Sequence, residues 1–199
     1  MYSYAIPHLD ATIHIALYEN VSNSEELLKR IIAASTLEGD EGDIERATLN
    51  YAFVDPTLVT SLTQLQTAVY HALLSSSQSN LRTKTVHSEI IYILNPTNNI
   101  TEALRRFGVS KSTRSLILIR VNERPPHPSI EELETAMNDL VNGEPVELDR
   151  LSAVTDWAAV RKVYKLNGDV VLAGVKGDEE KRIVNELVIS TVATKSVAA

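Results

Sequence analysis

The 199-residue sequence predicts an α+β fold: a single domain over 1–199, with helices packed against a small mixed or antiparallel sheet. Three observations carry this. Segments whose apolar side chains recur about every 3.6 residues are interspersed with short strand-like runs, without the strict alternation that builds a parallel sheet. No stretch repeats at a fixed period, which excludes solenoids and propellers. The chain carries 44% hydrophobic against 23% charged residues, a balance that supports a packed core rather than a disordered polymer.

The elements follow in order. From Thr12 to Tyr18 the residues alternate, with Ile13, Ile15 and Leu17 on one side and Thr12, His14 and Ala16 on the other, the pattern of a half-buried strand that leaves His14 on an exposed face. Ser24 is placed to cap a helix running to about Ala34, with Leu27, Leu28, Ile31 and Ile32 as its apolar stripe. TLEGDEGDIERATLN is acidic and Gly-rich, and residues 37–48 read as a mobile surface loop. Its Asp40, Glu41 and Asp43 lack the ligand spacing of a calcium loop. Asp55-Pro56 signals a helix start, and Leu58, Leu62, Leu65, Val69, Ala72 and Leu73 keep helical spacing after it.

The polar tract SSSQSNLRTKT ends that helix, and EIIYIL then reads as a strand buried on both faces. Asn99 and Glu102 have capping-box spacing for a short helix with Ala103, Leu104 and Phe107 inside and Gly108 at its end. SLILIRV is another buried strand, and NERPPHPS a rigid connection. Ser129 caps a helix with Ile130, Leu133, Met137 and Leu140 in the core, closed by Gly143. Asp156 caps the next, with Val160, Val163, Tyr164 and Leu166. The last helix begins near Asp178 and aligns Ile183, Val184, Leu187, Val188 and Thr191 on one face.

Composition excludes several classes of function. With no Cys there is no thiol nucleophile, thiolate zinc site or iron–sulfur cluster. The seven glycines never form GxGxxG or GxxxxGK[ST], so nucleotide binding by a standard phosphate loop is absent. The five histidines make no HExxH or HxH pair, and no GxSxG elbow presents a serine. No cofactor is expected. A hydrolase built from His87, Ser88 and Glu89 would need three neighbours on a strand to converge, which their alternation opposes. No segment approaches the ~20 apolar residues of a membrane span, and the N-terminus lacks a basic-then-apolar leader, so the expected location is nucleus and cytoplasm. The net charge is −7, yet Leu81 to Arg124 carries eight basic residues and three acidic ones, a local +5 that leaves −12 for the remainder. Such a segment can offer an anion-binding face on a chain whose overall charge repels nucleic acid.

Three stretches carry a resemblance: NYAFVDPTLV, LRTKTVHSEIIYILNPTNNITEALRRFGVS, and VRKVYKL followed by the terminal helix around ELVIST. Taken together and in this order they resemble the kinase-binding accessory subunits of the KEOPS (EKC) complex, a family that includes the animal PRPK-binding protein. The resemblance covers essentially the whole chain and points to a fungal member. It implies a non-catalytic subunit of a complex that installs the threonylcarbamoyl group on the adenosine next to the anticodon of tRNA, with a linked role in telomere maintenance and transcription. It implies one copy bound at the end of a linear assembly, contacting the small atypical kinase directly and the other subunits indirectly. By similarity the terminal helix would face the kinase through Val184, Leu187, Val188 and Thr191.

The same resemblance implies help in recruiting tRNA by its 3′ CCA end, for which Arg82, Lys84, His87, Asn98, Asn99, Arg105 and Arg106 are the candidate contacts, with Tyr92 or Phe107 as stacking surface. The acidic segment from Glu38 to Glu45 is longer than the family pattern. So is the tail, where 193–199 is expected to be flexible. The alternative is a general protein-interaction module that does not bind tRNA.

Overall fold

The computed structural model describes residues 1–123 and 127–195. In chain order the elements are β1 (Tyr2–Ile6), β2 (Ala11–Glu19), α1 (Ser24–Ala34), α2 (Gly39–Thr48), β3 (Ala52–Val54), α3 (Leu62–Ser77), α4 (Val86–Leu94) and α5 (Ile100–Phe107). They continue as β4 (Leu116–Glu123), α6 (Ile130–Leu140), β5 (Glu144–Val146), α7 (Leu151–Val154), α8 (Trp157–Val163) and α9 (Asp178–Thr194). The fold class is α+β with an antiparallel sheet, as the sequence predicts. The backbone groups into two compact units, one of residues Met1–Asp55 with Gly108–Leu148, the other of Pro56–Phe107 with Asp149–Ala199.

The first unit is built on the sheet, in the order β1-β2-β4-β3, with β5 pairing the far end of β2. The register sets His14 opposite Arg120 and Ile15 opposite Ile119. Ala16, Tyr18, Phe53, Leu116 and Leu118 share one face and form a core with Leu27 and Ala34 of α1 and Met137 and Leu140 of α6. The opposite-pointing Ile13, Ile15, Leu17, Ile117 and Ile119 are buried as well. Hence SLILIRV reads as a continuous apolar run.

His14 departs from the expected exposure. It is buried, its Nδ1 lies 2.8 Å from Ser3 Oγ, and burial, reinforced by the positive charges of His127 and Arg120, lowers its pKa from the ordinary histidine value. Arg120 beside it donates to Asn122 Oδ1 and Asn50 O, so the polar end of this face is closed by its own side chains.

Residues 39–48 form α2 and not a loop. The apolar content is too low to signal it, and polar contacts hold it instead. Arg46 donates to Ala34 O and Leu37 O at the carbonyl end of α1 and pairs with Asp43, while Arg30 grips Glu45 through Nε and Nη2 at 2.7 and 3.2 Å. Gly42 lets the hairpin close, since a Cβ there would stand 2.3 Å from Leu37 O. Asn23, and not Ser24, occupies the cap position of α1. Ser24 donates to Lys111 O, and Asn23 ties the helix to Leu140 O and Asn142 N. Ser129 caps α6 as read from the sequence, and Glu132 completes a capping box with it.

The second unit is helical, with α3 against α4 and α9. α3 starts six residues after the Pro signal: Pro56–Leu58 is a single 3-10 turn, and Ser61 is the cap, accepting from Gln64 N. The stretch EIIYIL is the body of helix α4, not a strand. Every residue from Glu89 to Leu94 is buried, and a short segment apolar on all sides has no period that separates helix from strand. The deciding signal lies upstream, where Thr85 and Ser88 make a capping box.

Inside this unit the fully buried Gln64 accepts from Thr60 N (2.7 Å) and donates to Tyr164 Oη (2.9 Å), and Tyr164 donates to Leu94 O (2.6 Å). Asp156 caps α8 and Asn99 caps α5 as read from sequence. Ala193 and Thr194, assigned to the tail, are the last residues of α9, whereas 196–199 and Arg124 lie outside the described residues.

Candidate functional site

The basic segment and the terminal helix meet in the second unit around a cavity of about 70 Å³ with a mixed polar and apolar lining. It is lined by His71 and Ser75 of α3, Asn80 and Arg82 of the α3–α4 loop, Glu89, Tyr92 and Ile93 of α4, and Val192 and Lys195 at the end of α9.

Glu89 organises its rim. The side chain is buried, and its Oε2 accepts from Arg82 N (3.0 Å), Thr83 N (2.8 Å) and Thr83 Oγ1 (2.7 Å). One carboxylate oxygen thus folds residues 82–83 back over the N-terminal turn of α4 and leaves the Arg82 side chain pointing outward, exposed. The opposite wall is set by Lys195. Its ammonium donates to Tyr92 O, to Asn95 O at 2.7 Å and to Thr97 O at 3.1 Å, and it stands 3.6 Å from the centre of the Tyr92 ring. Burial pushes its pKa down to about 8, with Glu89 acting in the opposite sense.

The sequence-predicted RNA contacts divide into two groups. Arg82, Lys84, Asn98, Asn99 and Arg105 are exposed, and among the described residues Arg82, Lys84 and Arg105 make no ion pair. Asn98 accepts from Tyr92 Oη (3.2 Å), placing it next to the cavity, while Asn99 spends its Oδ1 on the α5 cap, accepting from Glu102 N. Arg106 is turned inward, paired with Glu102 at 2.8 Å and donating to Asn95 Oδ1. His87 is buried on α4, so it does not reach outward from a loop. Phe107 is fully buried edge-on to Tyr164 and offers no stacking surface, whereas Tyr92 lines the cavity while 8% exposed.

On α9 the predicted kinase-facing stripe also divides. Val184 and Val188 are 1% and 0% exposed and belong to the chain's own core, with Val192 continuing the same row. Leu187 and Thr191 are half-buried on the flank of that row, and Thr191 donates to Leu187 O. The helix period explains the split, since 184, 188, 192 and 195 stack along one line while 183 and 187 lie about a quarter-turn aside.

Lys195, Glu89, Asn95 and His71 went unassigned as site residues in the sequence. The signal for Glu89 was its place inside an apolar run, where a charge needs donors. Lys195 carried none, since its acceptors lie about a hundred residues away. Among the described residues no group of three His, Asp or Glu side chains is placed to hold a metal, and no helix is long and apolar enough to cross a membrane.

Comparison with known proteins adds independent findings. Residues 18–196 match the family model of the kinase binding protein CGI-121. The chain is similar to an EKC/KEOPS complex subunit CGI121 of Cryptococcus neoformans, 36% identical with 98% of each chain covered. It is also similar to the subunit of that name from Candida glabrata, 31% identical over 92% of this chain and 95% of the relative. The Aspergillus fumigatus subunit is likewise 31% identical, over 92% and 90%. With the match spanning both units and including the cavity and α9, the chain belongs to the CGI-121 family of kinase-binding proteins.

Proposed function

We propose that this chain is a non-catalytic subunit of a KEOPS/EKC complex, binding the complex's small atypical kinase directly and helping to recruit tRNA by its 3′ CCA end for threonylcarbamoyl modification next to the anticodon. The observation that carries the reading is the match to a kinase-binding family over residues 18–196, joined to relatives named as EKC/KEOPS subunits across nearly their full length.

The kinase would bind at the half-buried flank of α9, where Leu187 and Ile183 supply apolar surface that the core row does not consume. Val184 and Val188 contribute by holding the helix in place. For RNA, the exposed Arg82, Lys84 and Arg105 supply positive charge without internal partners, and Asn98 and Tyr92 supply hydrogen-bonding and ring edges beside the cavity. Calorimetric titration of the purified chain with the KEOPS kinase of its own organism tests the first half: binding by wild type and its loss in a folded Leu187→Arg variant are expected. Titration of tRNA against wild type and Arg82→Glu tests the second half, and equal affinities would remove the cavity from the RNA reading.

A further inference from the structure

We infer that Lys195 is the positioning residue of the RNA-end site, an internal latch that holds the 95–99 loop against the cavity without touching RNA itself. The inference rests on the tRNA reading above for its function and on the geometry of α9 for its structure. An ammonium has three protons, and here each has a backbone carbonyl: Tyr92 O from the last turn of α4, Asn95 O at its C-cap, and Thr97 O beyond it. The Tyr92 ring fills the remaining side. With its donors saturated and its side chain 8% exposed, Lys195 has nothing left to offer a phosphate or base. Its position is instead that of a cation at the carbonyl end of a helix, satisfying groups that α4 leaves open.

The residues it fixes are the ones that present the site. Asn95 passes the restraint on through its Nδ2, which donates to Thr97 O and Oγ1, and Thr97 in turn donates to Glu102 at 2.5 Å. Tyr92 Oη reaches Asn98. Removing the ammonium therefore releases both the ring that lines the cavity and the loop that carries Asn98 and Asn99, while Arg82 stays anchored separately through Glu89.

The charged and titratable groups lining the cavity with Lys195 are His71 from α3, Glu89 and Tyr92 from α4, and Arg82 from the connecting loop. Burial lowers the pKa of His71 and raises that of Tyr92, which moves both away from the range between pH 7 and 9. Lys195, pushed down to about 8, changes charge inside it; the closed arrangement holds fewer protons than one with Lys195 released to solvent, so rising pH favours the closed latch, in which a neutral amine keeps two of the three carbonyls.

The test uses the full chain and two probes, a tRNA transcript ending in CCA and the same transcript lacking those three nucleotides. Wild type is expected to prefer the CCA-ending transcript at pH 7 and to keep that preference at pH 9. Lys195→Met is expected to show a preference at least threefold lower than wild type at both pH values, with unchanged affinity for the shortened transcript. Independently of RNA, the backbone amide shifts of Asn95 and of residues 97–99 are expected to titrate between pH 7 and 9 in wild type and to stay constant in a folded Lys195→Met. A wild-type loop that does not titrate, or a Lys195→Met protein with full CCA preference at pH 7, would overturn the latch. If wild type binds neither transcript while the amide titration follows Lys195, the RNA reading fails and the latch stands as structure alone.

Discussion

A buried charge is retained when its partners are backbone groups that nothing else can satisfy, and Glu89 and Lys195 both meet that condition. Truncating the buried Glu89 to Ala leaves two part-buried amides and a hydroxyl without their acceptor, and it is expected to cost about 1–2 kcal/mol in urea unfolding and to weaken tRNA binding as Arg82 loses its anchor. Lys195 sets a pH dependence whose sign follows from the depressed folded-state value. Between pH 8 and about 10 the unfolded chain holds more protons at this position than the folded one, so stability contributed by the site rises with pH. Thermal unfolding of wild type measured against Lys195→Met should therefore show wild type gaining about 2 kcal/mol over that interval. The buried Tyr4, Tyr18 and Tyr164 hydroxyls, raised above the ordinary tyrosine value, titrate higher still and are common to both proteins.

At the scale of elements, α9 divides into a buried core row and a half-buried flank about a quarter-turn away, to which we assign the kinase. Val188→Ala removes methyls from a fully buried position and is expected to cost about 1–3 kcal/mol of stability. Leu187→Ala, on the half-buried flank, is expected to cost less than that in unfolding and roughly 2 kcal/mol in kinase binding. Parallel urea melts and calorimetry separate the two. Gly42→Ala probes the α1–α2 hairpin: its methyl collides with Leu37 O, so α2 should lose helicity by circular dichroism while the tRNA affinity stays the same.

These elements also show what could be read in advance. Strand β2, helix α9 and the caps at Asn99, Ser129 and Asp156 were legible because period and cap chemistry are local. Helix α4 was not, since a run buried on all sides erases the period, and α2 was not, since its stability comes from Arg30 and Arg46 reaching across a turn. The site was half legible. Arg82 and Lys84 announced themselves by charge, but the inward turn of Arg106, the burial of His87 and the latch of Lys195 depend on contacts distant in sequence.

For the whole molecule, a chain of net charge −7 can attract RNA through a local patch alone, so binding should be weak, strongly salt-dependent and confined to that patch. Neutralising Arg82 or Lys84 singly is expected to lower the slope of log affinity against log salt by roughly 0.7–1 each, as read by fluorescence anisotropy across salt concentrations. Family membership makes a stronger demand, a surface for a kinase, which we assign to the flank of a helix that has already committed its inner row to the core. The most direct measurement is the calorimetric titration of the cognate KEOPS kinase with wild type and with Leu187→Arg. A saturable one-to-one complex that the folded variant fails to form is the predicted result. A wild-type chain that releases no heat and pulls down no kinase, or a variant that binds as wild type does, would contradict it.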